Sequence, residues 1–149
     1  MPFEFPPPYT GTGPNVTLLD PGGNPVNIIR TVDTFTIRVE WSLDLPAASL
    51  LGGDWLVRAY AESMGPGQEQ QLGGTVQVNV AAGTPTATTI DFRGDVVVVP
   101  PHLEAEGPAS SGVYKLVVIV THQNIVGGTL QPTVLAGFSE ADFIQMRNP

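Results

Sequence analysis

The stretch Thr34-Phe-Thr-Ile-Arg-Val-Glu-Trp-Ser-Leu43 alternates without a break between apolar and polar side chains. Phe35, Ile37, Val39, Trp41 and Leu43 fall on one side of an extended chain, and Thr34, Thr36, Arg38, Glu40 and Ser42 on the other. A helix would scatter both sets around its circumference, so this order commits the segment to a strand with one face on a core and one on water. The same period returns along the chain. Residues 54–62 set Trp55, Val57, Ala59 and Ala61 against Leu56, Arg58, Tyr60 and Glu62, and Val76, Val78 and Val80 share a face. In residues 86–92 the expected inward set is Thr88, Ile90 and Phe92. The β-branched run 96–99 stops at Pro100-Pro101, which reads as a short edge strand because proline cannot donate to a ladder.

Residues 112–122 form the strongest later strand, with Tyr114, Leu116, Val118 and Val120 alternating against Val113, Lys115, Val117 and Ile119. Both faces are apolar in its middle, so this strand either has cover on both sides or contributes Val117 and Ile119 to an interface. Two shorter strands are expected at 16–19 and 26–31, around an Asp20-Pro-Gly-Gly-Asn24 turn, and another at 133–138. Ser139-Glu-Ala-Asp142 fits a capping box that would open a single helical turn, and residues 143–147 read equally as its continuation or as a last strand.

Seventeen glycines and 15 prolines punctuate these runs, and 39 residues are Val, Ile or Thr, a composition that disfavours helix. A chain of 149 residues supports one core. The expected architecture is a single all-β domain, an antiparallel β-sandwich of seven to nine strands, over residues 15–149, preceded by an extended proline-rich arm over residues 1–14. At Gly112-x-Tyr114-x-Leu116-x-Val118-x-Val120 the sequence resembles a late strand of bacterial immunoglobulin-like domains, in which a tyrosine follows a turn and precedes alternating apolar residues. The resemblance covers those residues alone. It implies an immunoglobulin-like sandwich and a use as spacer, adhesive module or assembly part, and it brings no catalytic residue with it.

Six basic against 14 acidic side chains give a net charge of −8, the wrong sign for a phosphate backbone or an anionic lipid surface, so neither nucleic acid nor membrane is an expected partner. The absence of cysteine excludes disulfides, thiolate metal sites and cysteine nucleophiles. The start Met-Pro-Phe-Glu-Phe has no basic region leading into an apolar one, which reads as cytoplasmic synthesis without a signal peptide, with release in a particle by a non-classical route as the alternative to staying there.

Candidate chemistry is sparse. His102 with Glu104 and Glu106 could form half a metal site if extended, but an acidic loop after two prolines accounts for the same residues. His122 reads as capping the edge of its strand or facing a partner. Asp44 and Asp54 flank one loop and could share a calcium ion, though turn formation explains both. Arg93-Gly94-Asp95, between two expected strands, and the sequon Asn15-Val-Thr17 are short motifs without context. No set of nucleophile, base and orienter is present, so neither an enzyme nor a cofactor is expected. The signal that remains is for a protein partner or a homo-oligomer. Phe3, Phe5 and Tyr9 are large apolar anchors on a polyproline arm, and Val117 and Ile119 lie on the second face of a strand. The function these features favour is a non-enzymatic subunit or adaptor of a larger assembly, of the kind phage-like particles and contractile injection machines employ. A small-ligand or carbohydrate module is the alternative, and it would need Trp41 or Trp55 at the surface, whereas alternation places both inward.

Overall fold

The computed structural model describes residues 3–4, 7–67 and 69–149, without the side chains of residues 3, 4, 126, 141 and 142. Two sheets pack face to face. One has six strands: β1 (Phe3–Glu4), β3 (Ile28–Arg30), β5 (Asp54–Ser63), β6 (Glu69–Asn79), β9 (Val113–Val126) and β10 (Thr129–Arg147). It runs in the order β1-β10-β9-β5-β6, with β3 lying parallel to the end of β10. The other has four: β2 (Gly11–Leu19), β4 (Phe35–Asp44), β7 (Thr84–Pro85) and β8 (Thr89–Val98), in the order β2-β4-β8-β7. Apart from β3 on β10, all the pairings are antiparallel. With the first long strand counted as A, the sheets are A-B-E-D and G-F-C-C′, the strand arrangement of an immunoglobulin-type sandwich.

Alternation is realised where the sequence is most regular. Phe35, Ile37, Val39, Trp41 and Leu43 are all buried, and so are Trp55, Val57, Ala59 and Ala61 on β5 and Tyr114, Leu116, Val118 and Val120 on β9. The register explains the centre of the core. Trp41 pairs with Phe92 across β4 and β8, and Trp55 pairs with His122 across β5 and β9. These two cross-strand pairs meet between the sheets, with Trp41 and Trp55 edge to face at 5.6 Å and Trp55 and Phe92 at 5.4 Å.

Tyr114 shows why its strand starts where it does. Its hydroxyl donates to the carbonyl of Glu104 at 2.9 Å and receives the Ser110 hydroxyl at 3.1 Å, while the Gly112 N–H donates to Ser110 Oγ. This is a tyrosine corner, which pins the loop before β9 to the strand it feeds.

Several expectations are corrected. The run at 96–99 is not a separate edge strand: residues 96–98 are the second half of β8, with β4 as their ladder partner and the proline pair beyond them. Thr88 precedes β8 and is exposed, so the inward set is Ile90, half-buried, with Phe92, Gly94, Val96 and Val98. The capping box at 139–142 opens no helix, since β10 runs through it as strand. Register shifts between Pro132 and Ala136 and between Ser139 and Asp142 insert extra residues, so Leu135 faces inward before the second bulge and Ile144 and Met146 after it. Ten strands are present among the described residues rather than seven to nine, two of them only two residues long. β2 starts at Gly11, inside the segment expected to be an arm.

Replacing Tyr114 with Phe is expected to cost about 1–3 kcal/mol, because it leaves the Glu104 carbonyl and the Ser110 hydroxyl without their partner. Urea unfolding should show this as a lower midpoint at unchanged slope. Gly53→Ala is expected to cost about 1–3 kcal/mol by the same measurement. Gly53 has φ +87°, and a Cβ there would run into the Gln123 carbonyl oxygen.

Candidate protein-interaction face

The outer faces of the two sheets have opposite character. On the four-stranded sheet, outward residues of β4 and β8 join in ion pairs and hydrogen bonds. Arg38 binds Asp95 through Nε at 3.1 Å, Arg93 reaches Asp95 at 3.4 Å, and the Ser42 hydroxyl donates to Asp91 at 2.7 Å. With the Thr89 hydroxyl, that last bond holds the Asp91 carboxyl below its usual pKa. A surface whose polar groups already satisfy one another gains little from a partner.

On the six-stranded sheet the outward residues are largely apolar. Tyr60 of β5 lies opposite Val117 of β9, and Ile119 lies between Arg58 and Phe138 of β10. Val117, Ile119 and Tyr60 are half-buried within the face, while Phe138 is 37% and Phe143 is 49% exposed. Farther along the same hairpin, Ile125 and Leu130 pair across β9 and β10 with 62% and 55% exposure, and Val134 is 72% exposed. Lys115 sits between Glu62 at 3.8 Å and Glu140 at 3.4 Å. A groove of about 390 Å³ lies beside β6, floored by Val117, Ile119 and Tyr60 and walled by Glu62, Glu69, Gln70 and Gln71.

Of the residues singled out from the sequence, Val117 and Ile119 are therefore together, at the centre of this face. The backbone of Phe3 pairs with Gly137 on the outer edge of β10, so the arm joins the same sheet. Phe5 lies outside the described residues. Tyr9 is half-buried and packs on the core. Tyr60, Phe138 and Phe143 were not expected at this face. Tyr60 was legible as one of the outward set of its strand, but the bulges in β10 hide the side on which its two phenylalanines fall.

The remaining candidates are placed elsewhere. His122 neither caps an edge nor faces a partner, because β9 continues past it and it is buried. Its Nε2 donates to the Gly52 carbonyl at 2.7 Å, so Nδ1 is left to accept the Thr133 hydroxyl at 2.8 Å. Its ring packs on Trp55 at 5.0 Å. Burial pushes its pKa down, against smaller upward pulls from the Gly52 carbonyl and the Asp54 charge. His102 is structural too: the Leu103 N–H donates to its Nδ1, Nε2 bonds the Asp33 carbonyl, and the ring stands edge-on to Phe35. Glu104 and Glu106 are exposed. Asp44 accepts the Thr10 hydroxyl at 2.7 Å in one sheet, while Asp54 is buried in the other and accepts from the Asn79 amide at 3.1 Å. Among the described residues no three His, Asp or Glu side chains are grouped to hold a metal ion.

Arg93-Gly94-Asp95 does not lie between strands but within β8, where Gly94 is buried and a Cβ would sit 3.0 Å from Val57. Asn15 of the sequon is an exposed residue of β2. Both tryptophans are buried, as alternation required. Among the described residues no helix is long and apolar enough to cross a membrane.

These features define an immunoglobulin-type β-sandwich with one polar and one apolar outer face. No family model and no curated protein matches the chain. Among solved structures, the C-terminal domain of wzt is similar at 10% identity and a TM-score of 0.47, with 97% of this chain and 81% of that chain covered.

The buried His122 sets a pH dependence. With its folded pKa depressed, the unfolded chain takes up the proton first, so its contribution is complete above about pH 6.5 and is lost as pH falls below that value. The slope is at most about 1.4 kcal/mol per pH unit. Asp33 and Asp91, also shifted down, lose their contributions only near and below their ordinary value of 3.8. Urea midpoints of the wild type should therefore fall between pH 7.5 and 5.5, and His122→Gln should flatten that part of the profile.

Proposed function

We propose that this protein is a non-enzymatic interaction module, a subunit or adaptor of a larger assembly, and that its working surface is the outer face of the six-stranded sheet. The observation that carries this reading is the contrast between the two sheets. The outer face of β4 and β8 is closed by its own ion pairs and hydrogen bonds, whereas β5, β9 and β10 present Tyr60, Val117, Ile119, Phe138 and Phe143 to solvent. Apolar surface of this continuity gains free energy when a partner covers it, at about 25 cal/mol per Å². The local charges suit a protein partner: Lys115 is paired with Glu62 and Glu140 and Arg58 bonds the Thr121 hydroxyl, so the middle of the face carries both signs in a chain of net charge −8.

A second reading, small-ligand binding, is favoured by the groove beside Tyr60. Its apolar floor matches the C–H face of a sugar ring, and its amides and carboxylates match hydroxyl groups. It replaces the tryptophan platform that burial of Trp41 and Trp55 removes.

The two readings separate experimentally. Sedimentation of lysate from the source, with mass spectrometry of each fraction, should place the wild-type chain in a large particle. Ile119→Asp or Val117→Asp, or deletion of residues 1–9, should return it to the 15.7 kDa position while the circular dichroism spectrum stays that of a folded sandwich. Wild-type migration at the free position, together with saturable chemical-shift changes of Tyr60 on adding oligosaccharides, would replace the assembly reading with the ligand one.

A further inference from the structure

We infer that the occupant of this face is a second copy of the same chain, docked face to face about a two-fold axis near Ile119 and Phe138. The inference rests on the reading of the face as an interaction surface and adds the identity of the partner. Three observations carry it.

The first is concentration. Among the described residues, eleven large hydrophobics are conspicuously exposed, and five of them, Ile125, Leu130, Val134, Phe138 and Phe143, belong to the β9–β10 hairpin. With Val117 and Ile119 between them, they make an apolar stripe along the hairpin rather than a pocket. A stripe on a sheet suits another sheet, because two such surfaces pack in register with the roughly 10 Å spacing of stacked sheets.

Charge is the second. A net charge of −8 on each copy opposes self-association in general. The middle of this face is the exception, since Lys115 is bracketed by Glu62 and Glu140 and Arg58 lies beside Ile119. Because the same patch carries both signs, an isologous contact there does not set a block of like charge against itself.

Size is the third. Strands lie about 4.8 Å apart and rise about 3.3 Å per residue, so β5, β9 and β10 over a dozen residues cover on the order of 500 Å² in projection. Side-chain relief raises the accessible area toward the roughly 800 Å² per partner of a standard stable interface. The four-stranded sheet has no equivalent stripe, although Val97 is 53% exposed there, and that residue supplies a control.

The test uses the purified full chain. Equilibrium sedimentation from micromolar to hundreds of micromolar should give twice the 15.7 kDa chain mass. Phe138→Asp and Ile119→Asp, each checked for a native circular dichroism spectrum and melting curve, should weaken the dimer by about 30-fold or more, as expected for a central interface residue. The chain has no cysteine, so single cysteines report geometry directly. Under mild oxidation Ile119→Cys should form a disulfide-linked dimer at least tenfold faster than Val97→Cys. Monomer mass across the whole range, or equal cross-linking at the two positions, overturns the inference. If the purified chain is monomeric while Ile119→Asp still leaves the particle in lysate, the partner is a different protein and the interaction reading stands without the dimer. If wild type and Ile119→Asp behave alike in both experiments, both are lost.

Discussion

The meeting of four rings between the sheets is the contact on which the rest of the structure depends. Trp41 stacks on Phe92 at 5.9 Å within one sheet, Trp55 packs on His122 at 5.0 Å within the other, and the two tryptophans join the pairs. Each pair is a register neighbour across its ladder, so a slip of one residue in either sheet would carry a ring out of the core. The cluster therefore fixes strand register and inter-sheet alignment together. It also has costs. The indole N–H of Trp41 is buried without an acceptor, worth about 1–3 kcal/mol, and His122 must stay uncharged. Both are tolerated because the rings fill the gap between the sheets with little conformational entropy lost per unit of apolar area.

With the interior fixed in this way, the two outer faces are free to differ. On β4 and β8 the outward positions are polar or charged residues, several of which pair across the ladder, with Val97 the exposed apolar exception. On β5, β9 and β10 the outward positions include Tyr60, Val117, Ile119 and Phe138, whose neighbours cover them only in part. This contrast is the observation on which the proposed interaction role rests. The histidines and the better-held carboxylates are occupied in structural roles: His102 binds the backbone at Asp33, His122 ties β9 to the loop at Gly52 and to Thr133, and Asp54 holds Asn79.

The sandwich was legible in the sequence because most of its long strands keep an unbroken period of two, and in such strands parity is enough to name the buried face. Val117 and Ile119 were legible as candidates for the same reason, since they are apolar on the wrong parity of a strand whose other face is already apolar. What could not be read was wherever parity changes along a strand. The bulges in β10 move the inward set from Leu135 to Ile144 and Met146, so residues 133–147 carry neither a clean strand period nor a helical one. The short motifs misled in a related way. Arg93-Gly94-Asp95 resembles a loop because it contains glycine, yet that glycine is needed where β8 passes close to Val57, and the two charges beside it point outward, where they pair with each other and Asp95 also binds Arg38.

Placing both tryptophans in one cluster also determines what light can report about this chain. They are the only two indoles in the sequence, and their centroids are 5.6 Å apart. Their emission is therefore a local gauge of whether the sheets remain in contact at Trp55 and Phe92. It is insensitive to fraying of the hairpin tip around Gly127 and Gly128, which no indole touches. A spectroscopic signal assigned to the whole molecule would in fact describe only its middle, and events at the apolar stripe would pass unseen unless a new chromophore were placed there.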